Sequence, residues 1–327
     1  MKKSKFDISI CIPNYNRPHL VKQALESIIN QTVKPFEVLV VDDVSTDDMS
    51  EIKDICFANG YKFIQNKTNL GLMKNINHCI DLATGEYITL LHNDDILSPY
   101  FIEETNKFLN LFKGHNIYTT NGIGIDDKNH VIAEYRLFNK SHILNPDNSI
   151  EILWNKNYLS FLSIIGCTIY KTKFLQKNLF NEEYGNEADL DNAMKFLKKE
   201  PIMYVDIPIY FTRLHKEQES QKNKFTFEKM HKYLKNRIEI YSKYKPINFE
   251  SINYMQKIKA LHVVQLQIKY KYSLNTTMKL LEIDNIKVYI KIFLLIPVLL
   301  LDLILKKIRF EITNKNAIKK YLVKVEK

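Results

Sequence analysis

Short apolar runs alternate with segments of helical periodicity over the first hundred residues. The apolar runs predict four buried strands, at residues 8–12, 36–41, 61–65 and 87–91. Between them, apolar residues recur every three or four positions, which predicts helices at residues 18–30, 49–59 and 71–83. Such alternation predicts an α/β protein with a Rossmann-like, mostly parallel sheet flanked by helices.

The pattern is less regular over residues 100–215. Two predicted strands, 117–120 and 131–135, flank a polar turn and predict a hairpin. The apolar stretch 161–170 predicts another strand, and Gly166 within it predicts a close approach of some other group to the backbone. Further on, the pattern predicts a helix at 188–199, a strand at 203–211 and a mainly helical region after about residue 225.

Polar side chains follow three of the predicted parallel strands, at 14–17, 42–43 and 92–95. Because the carboxyl ends of parallel strands meet at one edge of a sheet, these clusters predict one ligand site. The adjacent carboxylates Asp94 and Asp95 repel each other, and a divalent cation holding a phosphate would neutralise them. On these residues alone, a solvated turn in which Asp95 caps a following helix remains the alternative.

Charge is unevenly distributed within the overall net charge of +10. From Lys216 onward, about 24 Lys and Arg residues stand against about 10 Asp and Glu residues, a net charge near +14, which leaves the first 215 residues near −4. The basic tail predicts a polyanionic partner, either anionic lipid or nucleic acid. The four scattered cysteines and the absence of a signal-peptide pattern predict a cytoplasmic protein with reduced core thiols.

Four ordered motifs resemble glycosyltransferase family 2. They are Pro13-Asn14-Tyr15-Asn16, then Val40-Val41-Asp42-Asp43-x-Ser45, then Asn69-x-Gly71-x-x-x-Asn75, and finally Gly85-Glu86-Tyr87-Ile88 leading into Asn93-Asp94-Asp95. The resemblance covers about residues 7–215. It implies a GT-A fold and inverting transfer of a sugar, usually from a UDP-linked donor, to a glycan or lipid-linked acceptor. A glycosyltransferase domain at 1–219 would then precede a basic, mainly helical region at 220–327.

The resemblance also implies roles for individual residues. Residues at the donor would be Pro13, Tyr15, Arg17, Asp42, Asp43, Ser45, Asn69, Gly71, Lys74, His92, Asn93 and Arg213. Among these, Asp42 would bond the base, and residues 69–74 would pass under the ribose and phosphates. A divalent metal, Mg²⁺ or Mn²⁺, would be the cofactor, with Asp94, Asp95 and His215 as its ligands. His92 departs from the family pattern, because it occupies the place of the first acid in the Asp-x-Asp motif.

A carboxylate near residue 189 would act as the catalytic base. An inverting transfer needs a group that takes the proton of the acceptor hydroxyl. The usual Glu-Asp pair of the family corresponds here to Ala188 and Asp189, so Asp189 is the predicted base and Glu187 the second candidate. The alternative is that Asp189 only stabilises the start of its helix.

The tail contains a strongly apolar segment at 288–305, interrupted by Pro297. Charged residues gather on one side of its helical wheel, which predicts a helix lying on the inner face of the cell membrane. A buried or dimer-forming helix is the alternative. Membrane attachment would suit synthesis of a bacterial surface polysaccharide.

Three other functions fit some of these features. A nucleic-acid-binding protein would use the basic tail, but no finger or aromatic sheet motif is present. A sugar nucleotidyltransferase would need a glycine-rich loop after the first strand, and residues 14–18 contain no glycine. A transferase-like domain without activity is suggested by His92 and Ala188.

Overall fold

The computed structural model describes residues 2–147, 149–150, 165–215 and 227–244. The chain divides into two units, Met1–His215 and Lys216–Lys327. In the second unit the structure describes a helix, Phe227–Lys243, and the apolar segment 288–305 lies outside the described residues. The domain boundary near residue 219 stays a prediction.

The first unit contains twelve described strands and six described α-helices. The strands are β1 Lys2–Lys3, β2 Ile8–Asn14, β3 Val33–Lys34, β4 Glu37–Asp42, β5 Lys62–Gln65, β6 Tyr87–Leu90, β7 Ile96–Leu97, β8 Ile117–Ile125, β9 Val131–Tyr135, β10 His142–Leu144, β11 Thr168–Lys171 and β12 Ile202–Arg213. The helices are α1 Pro18–Ile29, α2 Ser50–Ala58, α3 Leu72–Leu82, α4 Phe101–Leu111, α5 Thr172–Gln176 and α6 Ala188–Lys199.

A ten-stranded sheet organises this unit. Eight strands follow the order β10-β12-β8-β11-β6-β2-β4-β5, while β7 pairs with β12 and β9 with β8. Strands β6, β2, β4 and β5 are mutually parallel, and β12 is parallel to β8. Strand β11 runs antiparallel to both of its neighbours. The predicted mostly parallel α/β sheet is therefore confirmed, and β2 lies between the two other strands that end in polar clusters.

Helix α1 shows why the apolar periodicity predicts the helices of this fold. Helix α1 buries Leu20, Val21, Ala24, Leu25 and Ile28, all of which belong to one face of the helix.

All four cysteines are buried free thiols, as predicted for reduced core residues. Burial raises the pKa of Cys56 to about 11, which keeps that thiol protonated at neutral pH.

Two expectations for residues 100–171 are sharpened by the structure. The hairpin forms as antiparallel β8 and β9, but the apolar stretch 161–170 is not one strand, because a 3₁₀ turn at Ile165–Cys167 precedes β11. The close approach at Gly166 is confirmed. A Cβ atom there would lie 2.0 Å from Cζ of Tyr210, so only glycine fits beneath that ring. Helix α4 was not predicted.

Glu37 organises the edge of the sheet opposite the predicted site. Its carboxylate accepts hydrogen bonds from Ser9 Oγ at 2.8 Å, from Thr84 N at 2.6 Å and from Thr84 Oγ1 at 2.9 Å. Burial opposes ionisation, but these hydrogen bonds and one from Lys62 outweigh it and hold the pKa of Glu37 below its usual value.

Candidate active site

Asn14 joins the three predicted polar clusters at the carboxyl ends of β2, β4 and β6. Its Nδ2 donates to Asp42 Oδ1 at 2.8 Å, and its Oδ1 accepts from Asn93 Nδ2 at 2.9 Å. The side chain is 1% exposed, so these bonds form away from water. The predicted convergence of the strand ends therefore exists, and the buried amide of Asn14 connects the three ends.

The turns after β2 and β4 interlock. Asn16 Oδ1 accepts from Thr46 N at 2.8 Å and from Asp47 N at 3.2 Å, while Asn16 N donates to Ser45 Oγ at 2.6 Å. Asn16, Arg17 and Val44 all adopt left-handed backbone conformations, with φ of 58°, 60° and 61°. Such strain in non-glycine residues, above all in β-branched valine, is concentrated at functional sites in proteins.

Asp42 is a buried structural hub. It is 0% exposed and accepts from Asn14 Nδ2, Ser45 Oγ, Ser45 N and Gln65 Nε2. A carboxylate has about four acceptor positions, so these donors use all of them. The base contact expected of Asp42 stays a prediction, and it would require one of these donors to move.

Asp43 holds the loop that was expected to pass under the donor. Its Oδ1 accepts from Leu70 N at 2.7 Å and from Asn66 Nδ2 at 2.8 Å, and its Oδ2 accepts from Gly71 N at 2.8 Å. Asn69 Nδ2 reaches the backbone oxygen of Asp43 at 2.9 Å. The motif residues Asp43, Asn69 and Gly71 are thus brought together, and the described residues fill three of the roughly four acceptor positions of the Asp43 carboxylate.

Asp94 lies between two basic side chains. Its Oδ2 is 3.1 Å from His215 Nε2 and 3.5 Å from Arg17 Nη1. Burial opposes ionisation of Asp94, but the contact with His215 and the nearby charges of His92 and Arg17 outweigh it and hold the pKa below its usual value. Three predicted site residues from distant parts of the chain therefore meet at one carboxylate.

Asp95, the neighbour of Asp94, anchors the turn at residues 92–95 to β12. It is 4% exposed, and its oxygens accept from Tyr210 Oη at 2.7 Å and from Arg213 N at 2.8 Å. Burial, and then the charge of Asp94, raise the pKa of Asp95 well above its usual value. Strand β7 follows it directly, so Asp95 does not cap a helix as the alternative required. The oxygens of Asp95 already accept hydrogen bonds from Tyr210 and Arg213. The expected metal role of Asp95 stays a prediction.

Arg213 is a bridging residue in the structure. Its guanidinium donates to the backbone oxygens of Asp94 at 3.0 Å and of Asp126 at 3.1 Å, and to Gln23 Oε1 at 2.9 Å. The side chain is only 1% exposed. It thereby fixes the Asp94 turn against the tip of the β8–β9 hairpin, and its expected place at the donor stays a prediction.

The two candidate bases lie at the start of α6. Glu187 is buried, whereas Asp189 is half-buried and its Oδ1 accepts from Leu190 N at 2.6 Å. Both carboxylates have further interactions within the protein. Helix α6 has the predicted bounds, and Asp189 is the more accessible of the two acids.

The remaining predicted donor residues are distributed around this edge. Pro13 is buried at the end of β2, while Tyr15 is exposed beside it. The backbone N–H of His92 donates to Tyr210 Oη at 3.3 Å. Lys74 pairs with Glu182 at 3.7 Å.

The sequence does not single out Tyr210, although it indicates Arg213 and His215 shortly after it. The sequence places Asn14 and Asn75 within motifs but indicates no role for either. In the structure, Asn75 Nδ2 donates to the backbone oxygen of Val41 at 3.0 Å, while its Oδ1 accepts from Asn66 Nδ2 at 2.9 Å. The available signal was the presence of asparagines in the polar motifs, because an amide that becomes buried there needs hydrogen-bond partners.

Comparison with known proteins identifies related sequences. The profile of the family described as Glycosyl transferase family 2 matches residues 9–202. An uncharacterized glycosyltransferase of Rickettsia felis is 29% identical over 223 residues, which are 66% of this chain and 35% of that protein. A chondroitin synthase of Escherichia coli is 30% identical over 221 residues, which are 66% of this chain and 30% of that protein. The chain therefore matches about a third of the length of these relatives.

Two solved structures share the fold. S. aureus TarS 1-349 in complex with UDP-GlcNAc has a TM-score of 0.61 at 20% identity, covering 86% of this chain and 79% of that one. The mannosyltransferase PcManGT from Pyrobaculum calidifontis in complex with GDP-Man and Mn²⁺ has a TM-score of 0.51 at 14% identity, covering 95% and 88%. At these identities the likeness establishes the fold.

Proposed function

The chain belongs to glycosyltransferase family 2, and on that premise we propose that it transfers a sugar from a UDP-linked donor to a hydroxyl group of a glycan or lipid-linked acceptor, with inversion at the anomeric carbon. The observation that carries the proposal is the meeting of Arg17, Asp94 and His215 at the sheet edge where Asp43 also lies. The related TarS structure with UDP-GlcNAc and the related chondroitin synthase support a UDP-sugar and a polysaccharide product.

Asp43 is the better candidate for the base contact within this proposal. Donors among the described residues use all acceptor positions of Asp42, whereas they leave one acceptor position of Asp43 for a ring N–H. Exposed Tyr15 lies next in the chain to Asn14, whose backbone oxygen accepts from Asp43 N at 2.8 Å. The ring of Tyr15 would stack on the base of the donor.

Asp94 and His215 would hold the divalent metal. A carboxylate and an imidazole already offer oxygen and nitrogen ligands at one point, and the lowered pKa keeps Asp94 ionised. Among the residues that the structure describes, no group of three or more His, Cys, Asp or Glu side chains is arranged for a metal. The donor diphosphate and water would therefore complete the coordination, as is usual for Mg²⁺. The bound metal would stabilise negative charge on the leaving diphosphate.

Asp189 would accept the proton of the acceptor hydroxyl. It is the more accessible of the two candidate carboxylates and lies in the first turn of α6, where the helix dipole favours the ionised form. Direct attack by that hydroxyl inverts the anomeric carbon, so NMR of the transfer product from an α-linked donor should show a β-linkage. An α-linked product would contradict this assignment.

A donor panel tests the proposal as a whole. The full-length protein should be stabilised against heat by one or a few UDP-sugars when Mg²⁺ or Mn²⁺ is present, because a ligand that binds the native state raises its stability. Asp94→Ala should lose the metal-dependent part of that stabilisation. Stabilisation that is equal with and without metal, or equal in wild type and Asp94→Ala, would contradict the metal assignment.

Attachment to an anionic membrane surface is a separate part of the proposal. No helix among the described residues is long and apolar enough to cross a membrane. The basic charge of the tail, near +14 by sequence, supports binding to anionic lipid. Full-length protein should co-sediment with vesicles that contain phosphatidylglycerol and should be released by salt. Equal or stronger binding to DNA under the same salt would favour the nucleic-acid alternative.

A further inference from the structure

Asn77, on helix α3, binds the backbone of a distant segment through both ends of its amide. Nδ2 donates to the backbone oxygen of Phe180 at 3.0 Å, and Oδ1 accepts from Phe180 N at 2.9 Å. The two residues are 103 positions apart in the sequence. Asn77 is 7% exposed and Phe180 is 3% exposed, so water competes little for these two bonds.

The segment that Asn77 binds leads directly to the proposed base. A 3₁₀ turn at Glu182–Glu187 follows Phe180, and α6 begins at Ala188 with Asp189 in its first turn. Lys74, one helical turn before Asn77, pairs with Glu182 at 3.7 Å. Both groups are about half exposed, so this ion pair contributes little stability. The buried amide of Asn77 contributes more, because its bonds to Phe180 are shielded from water.

The first turn of the same helix is connected to the proposed donor site. Gly71 N, directly before α3, donates to Asp43 Oδ2 at 2.8 Å. Gly71 and Asn77 are separated by about 9 Å along the helix axis, at roughly 1.5 Å per residue. One rigid helix therefore contacts the nucleotide-binding acid at its start and the segment before the base in its middle.

We propose that Asn77 is a positioning residue for sugar transfer, which fixes the Phe180–Glu187 segment and thereby places Asp189 relative to the bound donor. The inference rests on the proposed function, because it takes Asp189 to be the base. Asn77 itself touches neither donor nor acceptor in this account. Its loss should therefore lower the rate of transfer while leaving donor binding nearly intact.

The size of the effect follows from the sensitivity of proton transfer to geometry. A displacement of about 1 Å at a reacting group can reduce a rate about 100-fold. We expect Asn77→Ala to lower kcat for transfer by about 10- to 100-fold and to change the donor KM less than about threefold. Hydrolysis of the donor by water depends less on the placement of Asp189, so the ratio of hydrolysis to transfer should rise.

Gln31 offers a matched control. It is 2% exposed, its Nε2 donates to the backbone oxygens of Ser98 at 2.6 Å and Ser27 at 2.9 Å, and its Oε1 accepts from Ile102 N at 3.1 Å. Gln31→Ala thus removes a buried amide that also bridges backbone segments, but these segments do not carry the proposed base. It should lower thermal stability as Asn77→Ala does and leave kcat within about twofold of wild type.

The experiment measures kcat, donor KM and the hydrolysis-to-transfer ratio for full-length wild type, Asn77→Ala and Gln31→Ala, each scaled to its folded fraction. Asn77→Gln is added because it keeps the amide and moves it by one methylene, so it tests placement even where Asn77→Ala folds poorly. A kcat for both Asn77 variants within twofold of Gln31→Ala, or a donor KM that rises in step with the loss of kcat, would overturn the inference.

Asp189→Asn separates this inference from the proposed function. If Asp189→Asn transfers normally, the base assignment fails, and the positioning role of Asn77 fails with it. If Asp189→Asn loses transfer while the Asn77 variants behave like Gln31→Ala, only the positioning role is wrong. Loss of transfer in both, with donor binding retained, is the result that we expect.

Discussion

Tyr210→Phe tests how the fold supports the acidic turn at residues 92–95. The substitution removes one oxygen atom from a side chain that is 0% exposed. That hydroxyl donates to Asp95 Oδ2 at 2.7 Å and accepts from His92 N at 3.3 Å. Of the two hydrogen bonds that described residues donate to its carboxylate, Asp95 would keep the one from Arg213 N, at 2.8 Å.

The expected loss of stability comes mainly from leaving the buried Asp95 carboxylate without the donor that Tyr210 supplies. A buried acceptor that loses its donor costs about 1–3 kcal/mol, and the longer bond to His92 N adds little. We therefore expect a loss of about 2 kcal/mol in the free energy of unfolding. For a folded unit of this size, such a loss lowers Tm by about 4–8 °C. The looser turn should also weaken metal-dependent donor binding about tenfold, which corresponds to about 1.4 kcal/mol.

Tyr118→Phe is the matched control. Tyr118 is also 0% exposed, and its hydroxyl donates to the Phe112 backbone oxygen at 2.7 Å and accepts from His115 N at 3.4 Å. Its bonds have the same pattern but end on neutral backbone groups away from the acidic turn. We expect a loss of about 1 kcal/mol and no change in donor affinity.

The assay combines urea unfolding with donor titration in the presence of Mn²⁺. Tyr210→Phe should be less stable than Tyr118→Phe, and of the two it alone should weaken donor binding. If Tyr210→Phe binds donor as tightly as wild type, the turn does not depend on this hydroxyl and the reasoning is wrong.

Three further predictions follow from other contacts. Gly166→Ala should displace the Tyr210 ring and destabilise the protein by about 1–3 kcal/mol, measured by urea unfolding, because its Cβ would overlap that ring. Glu37→Gln should remove stability that is fully present above the ordinary pKa of 4.5 and is lost as the pH falls from there through the lower pKa of the folded protein. Acid unfolding should therefore show the difference from wild type shrinking as the pH falls below 4.5. Asn14→Ala should leave the buried Asp42 without one donor, cost about 1–3 kcal/mol in thermal unfolding and weaken donor binding.

The elements of the α/β core were predictable because their apolar patterns are local. Residues 188–199 were predicted as a helix, and α6 has those bounds, since its buried positions recur at helical spacing. The carboxyl ends of β2, β4 and β6 were predicted to meet because parallel pairing places them at one edge. These conclusions need only the period of the pattern and the direction of the strands.

The contacts that define the site were not predictable, because they join residues far apart in sequence. Tyr210 reaches Asp95 across 115 positions, and no periodicity indicates which hydroxyl meets which carboxylate. Strand β12 also has irregular register against β8 between Val205 and Tyr210, which sets where Tyr210 and Arg213 lie. The structure therefore adds contacts of Asp95 with Tyr210 and Arg213 that the sequence does not reveal, and the expected metal role of Asp95 stays a prediction.

Donor binding and sugar transfer by Asp189→Asn test the central claim most directly. The variant should bind the preferred UDP-sugar with a Kd within about threefold of wild type, because Asp189 does not hold the donor. Its transfer rate should fall by about 10²- to 10⁴-fold, the usual contribution of a general base. Transfer at the wild-type rate by folded Asp189→Asn would contradict the account.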